Sequence, residues 1–492
     1  MRIIKLEIQD FRAFYSTHII ELAKTGHRGW QNLLVYGENG SGKSSLLLAL
    51  QYLLESGIDN LDFNNYRNIF STQPNSGYIE LTLRETINKP EIVHKWSPYI
   101  TTTATDRDMI EASKAKGILD YKRLLEVHFI HRNESNINIF DLLVKNLLAH
   151  CINDSDTNLI KKTFGQQWDD LIKIIPTRPK NNRQIAEFNK ASLVFSEGLK
   201  AKLNELEREI TSLITYFGYP ITISFGFEQG VSFDNTIKYS EERKESSIAN
   251  REILLNVKFY GQEVPSPHHF LNEAKLTAIA IAIYFSSLII APKPKLKILV
   301  LDDIFIGLDM SNRLPLIDII KEKFGGYQIF LMTYDREWYE ILKQRMDGNK
   351  WLCQELYRGV IEDGLEIPIW KQDKDYLDKA EEYLNHNDLK ASAVYLRTAF
   401  EVILKQFCDK TRIAVIYKED YKKLTSEDFW KQVKTSKKND ATLYVDSSIA
   451  QDVELYRNII MNPLSHSRIV QAHRQEVEKA IITIKKLKQA LQ

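Results

Sequence analysis

A glycine-rich segment, residues 37–44, limits the folds open to this chain more than any other stretch, because it matches the pattern GxxxxGK[ST] at every fixed position. The preceding residues, 33–36, are apolar and predict a buried strand, and residues 43–55 predict a helix. In a strand–loop–helix unit of this kind, glycines let backbone N–H groups face a phosphate, and the helix N-terminus adds a favourable dipole. We therefore expect a nucleotide-binding α/β domain. The expected nucleotide contacts are Gly37, Glu38, Asn39, Gly40, Ser41, Gly42, Lys43, Ser44 and Ser45.

Two consecutive acids, Asp302 and Asp303, end an apolar run at residues 298–301, which predicts a second buried strand. A strand that ends in this way presents its carboxylates to a metal ion beside the phosphates. We expect Asp302 and the Ser44 hydroxyl to hold Mg²⁺. We expect Lys43 to contact the β- and γ-phosphates, and Asp303 to orient or deprotonate the attacking water. The two motifs together predict an enzyme that binds ATP with Mg²⁺ and hydrolyses it, with Lys43 and Asp303 as its catalytic residues.

These motifs resemble those of the ABC ATPases of the RecF, SMC and OLD group, and the resemblance covers about residues 1–345. Residues 1–14 are similar to the opening strand of that group and to its Phe-Arg turn, which by resemblance brings Arg12 to the γ-phosphate. Residues 307–309, Gly-Leu-Asp, resemble the D-loop that crosses the dimer interface. Residues 271–275 occupy the place of the signature motif, at the start of an apolar helix.

The resemblance implies that ATP binds between two heads, because the signature helix and the D-loop of this group act on the nucleotide of the partner copy. The corresponding residues here are Asn272 and Asp309. We expect Asn272 to cap its helix and to offer an amide donor to a γ-phosphate. The expected assembly is a homodimer, or a higher homo-oligomer, formed through the ATPase heads.

The chain departs from the pattern of the group at three places. The signature motif normally has a serine and two glycines, whereas residues 272–274 are Asn-Glu-Ala. The acid after Asp302 is usually a glutamate, and Asp303 is one methylene shorter. The usual switch histidine is replaced by Tyr334, which cannot accept a proton as imidazole can. We therefore expect hydrolysis to be slow or gated.

Strand and helix patterns divide the chain into four parts. Strand signals in residues 1–135 and 218–365 predict two lobes of one ATPase head, the first with the phosphate-binding loop and the second with the signature, the acid pair and the D-loop. Residues 136–217 change to helical periodicity, and apolar spacings of four and three predict a short coiled-coil insertion or an amphipathic helix on the core. Residues 373–492 predict an all-α C-terminal domain. The predicted fold is an α/β ABC-type P-loop ATPase head with a short helical insertion, plus that domain.

The composition argues against several classes of protein. Lysine and arginine total 66 and aspartate and glutamate 65, so a formal net charge of +1 provides no general basic field for nucleic acid, which would be contacted through a local patch or within a complex. The 3 cysteines lie far apart and form no zinc or disulfide pattern, which favours the cytoplasm. The longest uncharged run, residues 276–291, is shorter than the roughly 18 residues that indicate a membrane span. We expect no membrane partner.

The C-terminal region carries a second candidate site. Arg397 and Glu401 lie one helical turn apart, and Arg457 and His466 flank a helix break at Pro463. Arginine, glutamate and histidine together can cut RNA without a metal, and this set resembles the HEPN-type domain of the anticodon nucleases. The spacing from Arg457 to His466 is longer than usual for that domain. The other interpretation is an ion pair and a helix-capping turn in an oligomerisation domain.

Several short segments resemble the ATPase subunits of bacterial phage-defence systems, with the PtuA family of the Septu system as the most similar type. These segments are residues 120–125, 140–143, 271–276 and 333–339. The ATPase regions of the anticodon nucleases PrrC and RloC are similar too. The leading hypothesis is an ATP-binding sensor or regulatory subunit that controls a separate, co-encoded nuclease, expected to be of the HNH type. Two alternatives stay open: an ATP-gated RNase within this chain, and a RecF-like DNA-repair ATPase.

Overall fold

The computed structural model of the chain describes residues 1–23, 29–73, 75–103, 106–115, 117–127, 136–176, 182–234, 245–361, 364–372, 375–415, 425–438, 441–465 and 473–491. The chain forms two compact units, Met1–Lys371 and Gln372–Gln492. The larger unit has two clusters of buried apolar side chains, and the smaller unit has one of its own.

The strands, in chain order, are β1 (Arg2–Phe11), β2 (Phe14–Glu21), β3 (Asn32–Gly37), β4 (Tyr78–Arg84), β5 (Ile92–Trp96), β6 (Ile118–Asp120), β7 (Ile221–Gly226), β8 (Ser232–Phe233), β9 (Ile248–Ala249), β10 (Leu254–Phe259), β11 (Gln262–Val264), β12 (Ile298–Asp302), β13 (Gln328–Thr333), β14 (Trp351–Val360) and β15 (Glu366–Gln372).

The helices of the larger unit are α1 (Lys43–Glu55), α2 (Arg107–Lys114), α3 (Tyr121–Leu125), α4 (Phe164–Lys173), α5 (Asn182–Tyr216), α6 (Pro267–Phe270), α7 (Glu273–Ile290), α8 (Met310–Lys323) and α9 (Arg336–Arg345). Those of the smaller unit are α10 (Tyr376–Asn385), α11 (Leu389–Thr411), α12 (Ser426–Val433), α13 (Ser447–Tyr456), α14 (Asn462–Ser465) and α15 (Arg474–Ala490). Short π-helical turns span Leu142–Leu147 and Arg457–Met461.

A six-stranded sheet in the order β15-β14-β3-β13-β12-β6 forms the centre of the larger unit. Neighbouring strands from β14 to β6 are parallel, in a register that places Thr333 beside Tyr36 and Asp302 beside both Met332 and Asp120. Every residue of β3, β12 and β13 is buried, as expected for parallel strands covered on both faces. Because parallel strands end at one edge of a sheet, the segments that follow these three strands come together there.

The two faces of this sheet are covered by different layers. Leu33 and Val35 of β3 pack in a cluster with α1 and the antiparallel sheet β2-β1-β4-β5. Leu34 and Tyr36, the alternate residues, pack in the other cluster with α5, α7, α8 and α9. In the three-stranded sheet β11-β10-β7, strands β7 and β10 add apolar residues to that second cluster. Because alternate side chains of β3 point to opposite faces of the sheet, this one short strand contributes to both clusters of the core.

Helix α7 lies inside the second cluster, where every residue from Leu276 to Leu288 is buried. Among the residues that the structure describes, it is the one helix long and apolar enough to cross a membrane, and 72% of it is buried inside the unit. That position explains its composition as that of a core helix. The apolar seam of α5 packs against α7, β7 and α4, so it serves the core of the head.

Strands β14 and β15 complete the sheet of the head, and β15 continues it beyond residue 365, the boundary that the sequence predicts. Polar and apolar residues do not alternate cleanly along them, and Pro368 indicates a break. The proline is tolerated because β15 is the edge strand of the sheet, where one side of the backbone has no neighbouring strand. A Cβ on Gly42 would lie 2.9 Å from the Cγ of Pro368, so β15 borders the phosphate-binding loop. The larger unit therefore continues to Lys371.

Apart from the end of β15 at its start, connecting loops and an isolated bridge between Lys437 and Leu443, the described residues of the smaller unit form helices, as the sequence predicts. Leu396, Phe400 and Leu404 of α11 are buried at its centre, together with Trp430 of α12 and Ile484 of α15. Helix α11 packs against α10, α12, α14 and α15. Its apolar face therefore organises this unit.

Gly198 of α5 provides a test of this packing, because it lies against the fully buried side chain of Asn153. An added Cβ would lie 1.8 Å from Asn153 Oδ1. The Asn153 amide donates to Gln167 Oε1 at 2.8 Å and to Val194 O at 3.1 Å, so it cannot move without losing buried hydrogen bonds. Gly198→Ala should lower the free energy of unfolding by about 1–3 kcal/mol, although alanine is the better helix former.

Urea unfolding followed by circular dichroism measures this change. Glu197→Ala, at the exposed neighbouring position of α5, is the matched control and should leave the midpoint almost unchanged. A midpoint that rises in Gly198→Ala would contradict the packing described here.

Candidate functional site

The phosphate-binding loop connects β3 to α1 at the edge where the parallel strands end. Gly40 and Gly42 have φ angles of 83° and 104°, which residues with a side chain rarely adopt. A Cβ on Gly37 would lie 2.5 Å from Ser41 Oγ and 2.9 Å from Leu356 O, so this turn has no room for a side chain. The loop is therefore curled as an anion-binding turn requires.

Lys43 begins α1, and its side chain is buried. Its Nζ donates to the carbonyl oxygens of Gly37 at 2.7 Å and Glu38 at 3.2 Å. The same Nζ lies 3.7 Å from Asp303 Oδ2. Glu38 and Asn39 are exposed at the tip of the loop. The ammonium group thus holds the loop closed, and a phosphate must replace these carbonyl contacts.

Ser44 and Asp302 form the candidate metal site. Ser44 Oγ donates to Asp302 Oδ2 at 2.9 Å. Asp302 is 5% exposed, and its Oδ1 has no hydrogen-bond partner in the described part of the chain. Burial, and then the neighbouring carboxylate of Asp303, raises the pKa of Asp302 to about 6. A buried carboxylate oxygen that lacks a partner, beside a hydroxyl, fits the oxygen ligands that Mg²⁺ prefers.

Asp303 follows β12 with a φ angle of 52°, a left-handed conformation that is enriched at functional sites. Its Oδ1 accepts a hydrogen bond from the backbone N–H of Tyr334 at 2.9 Å. Burial raises the pKa of Asp303, although Lys43 and this N–H act in the opposite direction. The side chain of Tyr334 is 40% exposed. Position 334 therefore acts on Asp303 through its backbone, a contribution that side-chain motifs do not reveal.

The Phe-Arg turn between β1 and β2 lies next to the loop. The Ala13 N–H donates to Ser45 Oγ at 3.4 Å, and a Cβ on Gly42 would lie 3.7 Å from that of Ala13. Arg12 has a φ angle of 51°, and its carbonyl accepts from the Asn68 side-chain amide at 2.6 Å. The turn is thus held from both sides, and Arg12 is exposed on it.

Asn272 and Asp309, the two residues expected to act on a partner's nucleotide, are both exposed helix caps. Asn272 Oδ1 accepts from the Lys275 N–H at 3.1 Å, at the start of α7. Asp309 Oδ1 accepts from the Asn312 N–H at 3.0 Å, at the start of α8. Hydrogen bonds from Ser311 and Asn312 hold the pKa of Asp309 below its usual value. Within the described residues, neither side chain forms a hydrogen bond to the phosphate-binding loop.

The start of α7 and the D-loop contact each other. A Cβ on Gly307 would lie 2.9 Å from Glu273 Oε1, and the φ angle of Gly307 is 85°. The Tyr121 hydroxyl donates to the same carboxylate oxygen at 3.5 Å. The carboxylate of Glu273 is therefore turned towards the D-loop and β6–α3 of its own head.

The RNase candidates in the described part of the smaller unit lie on two segments that contact each other, α11 and the turn Arg457–Met461, and Cζ of Arg457 lies 5.4 Å from the centre of the Phe400 ring. Arg397 Nε pairs with Glu401 Oε1 at 3.2 Å along α11. Arg457, which is 9% exposed, instead pairs through Nη2 with Glu427 Oε2 at 2.5 Å. His466 lies outside the described residues. Each arginine is therefore already paired with a carboxylate, Arg397 with Glu401 on α11 and Arg457 with Glu427 on α12.

Comparisons with solved structures return heads of SMC proteins. The SMC head bound to the C-winged helix domain of ScpA is 14% identical, with a TM-score of 0.39 over 77% of this chain and 100% of that chain. The Smc head with an extended coiled coil, bound to the C-terminal domain of ScpA derived from Pyrococcus furiosus, is 15% identical, with a TM-score of 0.39 over 79% and 99%. The SMC head from Thermotoga maritima is 13% identical, with a TM-score of 0.35 over 76% and 100%. No curated protein matches the chain.

A family model supports the predicted fold of the head. The model of the RecF/RecN/SMC N-terminal domain matches residues 2–349, well over half of the chain. It confirms the predicted α/β ABC-type ATPase head, and ATPase heads of this kind bind ATP with Mg²⁺ and hydrolyse it. The matched region contains the phosphate-binding loop, the acid pair and the D-loop. This chain therefore belongs to the RecF/RecN/SMC family.

Proposed function

We propose that this chain is the ATP-binding regulatory subunit of a cytoplasmic phage-defence complex in bacteria. In this role it hydrolyses ATP slowly and controls a separate, co-encoded nuclease of the HNH type. The ATP-dependent part of the proposal rests on one observation. Four residues lie together at one edge of the sheet: Lys43, Ser44, Asp302 and Asp303. The defence part rests on the segments that resemble Septu-type ATPase subunits.

The residues of the site have separate roles in hydrolysis. Lys43 exchanges its loop carbonyls for the β- and γ-phosphates, where its charge favours the transition state. Ser44 and Asp302 would hold Mg²⁺, whose charge offsets the negative charge of the phosphates. Asp303, oriented by the Tyr334 N–H, positions the attacking water and accepts its proton.

Three features support slow turnover. The ammonium group of Lys43 must leave two carbonyl oxygens before it can bind phosphate. Asp303 reaches one methylene less far than a glutamate would. The side chain at position 334 is an exposed tyrosine, which offers no imidazole to accept a proton.

The exposed starts of α7 and α8 support a closed assembly of two heads around ATP. Both helices present their N-terminal ends to the outside of the unit, where the helix dipole favours a phosphate. Asn272 and Asp309 stand at these ends. We infer that a second copy of the chain supplies the nucleotide that they face.

The alternative of an RNase in the smaller unit is less well supported. Arg457 is nearly buried and its guanidinium is already paired with Glu427, so binding a phosphate would require it to leave that partner. A RecF-like role in DNA repair is consistent with the family, but no particular residue in the described part of the chain supports it. The two alternatives predict RNA cleavage by the isolated chain and salt-sensitive binding to DNA, respectively.

The two acids should differ in their effects on ATP. Asp303→Asn should keep ATP affinity within about twofold and lower the turnover rate by roughly a hundredfold or more, because the amide can accept the Tyr334 N–H but not a proton. Asp302→Asn should remove the dependence of ATP binding on Mg²⁺. Binding of a fluorescent ATP analogue with and without Mg²⁺, together with phosphate release, measures both. Asp318→Asn, at an exposed position of α8, is the control. Wild-type rates in both site variants would refute these assignments.

Head closure should depend on the start of α7. Asn272→Arg places a bulky cation there and should block assembly on a non-hydrolysable ATP analogue while the monomer stays folded. Native mass measurement with and without the analogue gives the result. Asn204→Arg makes the same change at an exposed position of α5 and should still assemble. Closure of Asn272→Arg with wild-type affinity would place the interface elsewhere.

The regulatory role should appear when the chain is purified together with the products of its neighbouring genes. We expect a complex with a nuclease, whose activity changes across a series of ATP concentrations. The same series with Asp303→Asn separates the effect of bound ATP from that of hydrolysis. Degradation of DNA or RNA by the isolated chain, or nuclease activity that ATP does not alter, would contradict the proposal.

A further inference from the structure

An ion pair ties the D-loop to the catalytic acid. Arg313, in the first turn of α8, donates from Nε to Leu308 O at 2.8 Å and from Nη1 to Asp335 Oδ2 at 2.5 Å. Asp335 directly follows Tyr334, whose backbone N–H donates to Asp303 Oδ1 at 2.9 Å. One side chain thus joins the segment after β12 to the segment after β13.

The main chain between Asp303 and Leu308 closes these contacts into a ring. The Ile306 N–H donates to Asp303 O at 3.3 Å, and the Leu308 N–H donates to Phe305 O at 3.1 Å. Residues 303–308 therefore form two overlapping tight turns. A displacement of Leu308 would move Arg313 through the hydrogen bond from Nε to the Leu308 carbonyl. It would also move Asp303 through the two turns.

Both elements that the proposed closure turns towards a second copy contact this ring. Asp309, the cap of α8, follows Leu308 directly. Glu273, next to Asn272 at the start of α7, lies against Gly307 in the middle of the D-loop. Contact of a second head with the start of α7 or of α8 would therefore act on the same short loop, the D-loop.

We propose that Arg313 is a positioning residue that couples closure of the heads to hydrolysis, by transmitting the position of the D-loop to Asp303. The coupling passes through Asp335 and the N–H of Tyr334, and it rests on the proposed function. Before ATP binds, Tyr334 and Lys43 engage the two oxygens of Asp303. When Lys43 moves to the phosphates, Oδ2 becomes available to water, and the ring determines where it points.

The ion pair is sheltered enough to transmit such a shift. The side chains of Arg313 and Asp335 are 14% and 29% exposed, so water competes less for this pair than for one at the surface. Burial alone would raise the pKa of Asp335, but Arg313 and backbone N–H groups hold it below its usual value. Asp335 stays charged at neutral pH.

A purely structural role is separable from this coupling, because Asp335 also caps α9. Its Oδ1 accepts from the Trp338 N–H at 3.1 Å. Asp335→Asn keeps an oxygen for that cap and removes the charge that holds Arg313. Arg313→Met keeps an unbranched side chain about as long as the aliphatic part of arginine and removes both donor groups. Arg313→Lys keeps the charge, but a single ammonium group cannot reproduce the planar fork.

The test measures steady-state ATP hydrolysis, nucleotide affinity and assembled mass for these variants and for the double variant Arg313→Met/Asp335→Asn. We expect kcat to fall roughly tenfold in Arg313→Met and in Asp335→Asn, because a small misplacement of a reacting group is expensive in rate. Nucleotide affinity and the mass on a non-hydrolysable analogue should stay within error of the wild type. The double variant should be no slower than the slower single variant, and Arg313→Lys should recover part of the rate. Lys162→Met, which breaks a pair with Asp170 on α4, should change none of these values.

The outcomes separate the coupling from the proposed function. A wild type without turnover would overturn the proposed function, and the coupling with it. Normal kcat in folded Arg313→Met or Asp335→Asn would overturn the coupling alone. So would a parallel loss of nucleotide affinity, which indicates general damage to the site. If Arg313→Met does not fold, Asp335→Asn decides the question, because its helix cap is preserved.

Discussion

Parallel pairing of β12, β13 and β3 determines where the whole nucleotide site lies. The register sets Asp302 beside Met332 and Thr333 beside Tyr36, so the segments that follow these strands start at the same level of the sheet. Ser44 reaches Asp302 across 258 positions of sequence for this reason. All three strands are buried on both faces, and a slip of one residue would exchange the side chains between two differently shaped clusters. Apolar packing thus secures the geometry that the polar residues use.

The same arrangement concentrates charge where burial disfavours it. Lys43 and Asp302 are each 5% exposed, and Asp303 stands beside both. Partial pairing limits the penalty: Lys43 donates to loop carbonyls, and Ser44 donates to one oxygen of Asp302. The other oxygen of Asp302 has no partner among the described residues, and burial, followed by the neighbouring carboxylate of Asp303, raises the pKa of this acid. A site in this condition favours ligands that supply a phosphate for the lysine and a cation for the acid.

The sequence predicts those parts of the candidate site in which side chains at fixed spacing would carry the chemistry. The loop at residues 37–44 and the acids after β12 are of that kind, and the family match confirms the ATPase head around them. Strands β14 and β15 were missed because their residues do not alternate and Pro368 looks like a break, whereas an edge strand accommodates it. The sequence could not predict the Tyr334 N–H donor or the Arg313–Asp335 ion pair, for a different reason. Both depend on how the ends of β12 and β13 are aligned, and a backbone donor has no residue identity to recognise.

A regulatory ATPase requires that its open and closed states differ in their affinity for ATP, since a ligand shifts an equilibrium only by that difference. Contacts from a second head at Asn272 and Asp309 would provide that difference. Reciprocity then requires that closure of the heads increases the affinity for ATP by the same factor by which ATP favours closure. Under the proposed function, hydrolysis would end the closed state, so its rate would determine how long a partner nuclease stays restrained. If the D-loop positions Asp303 through Arg313, the closed state itself controls that rate, and the lifetime of the complex becomes a property of the interface between the heads.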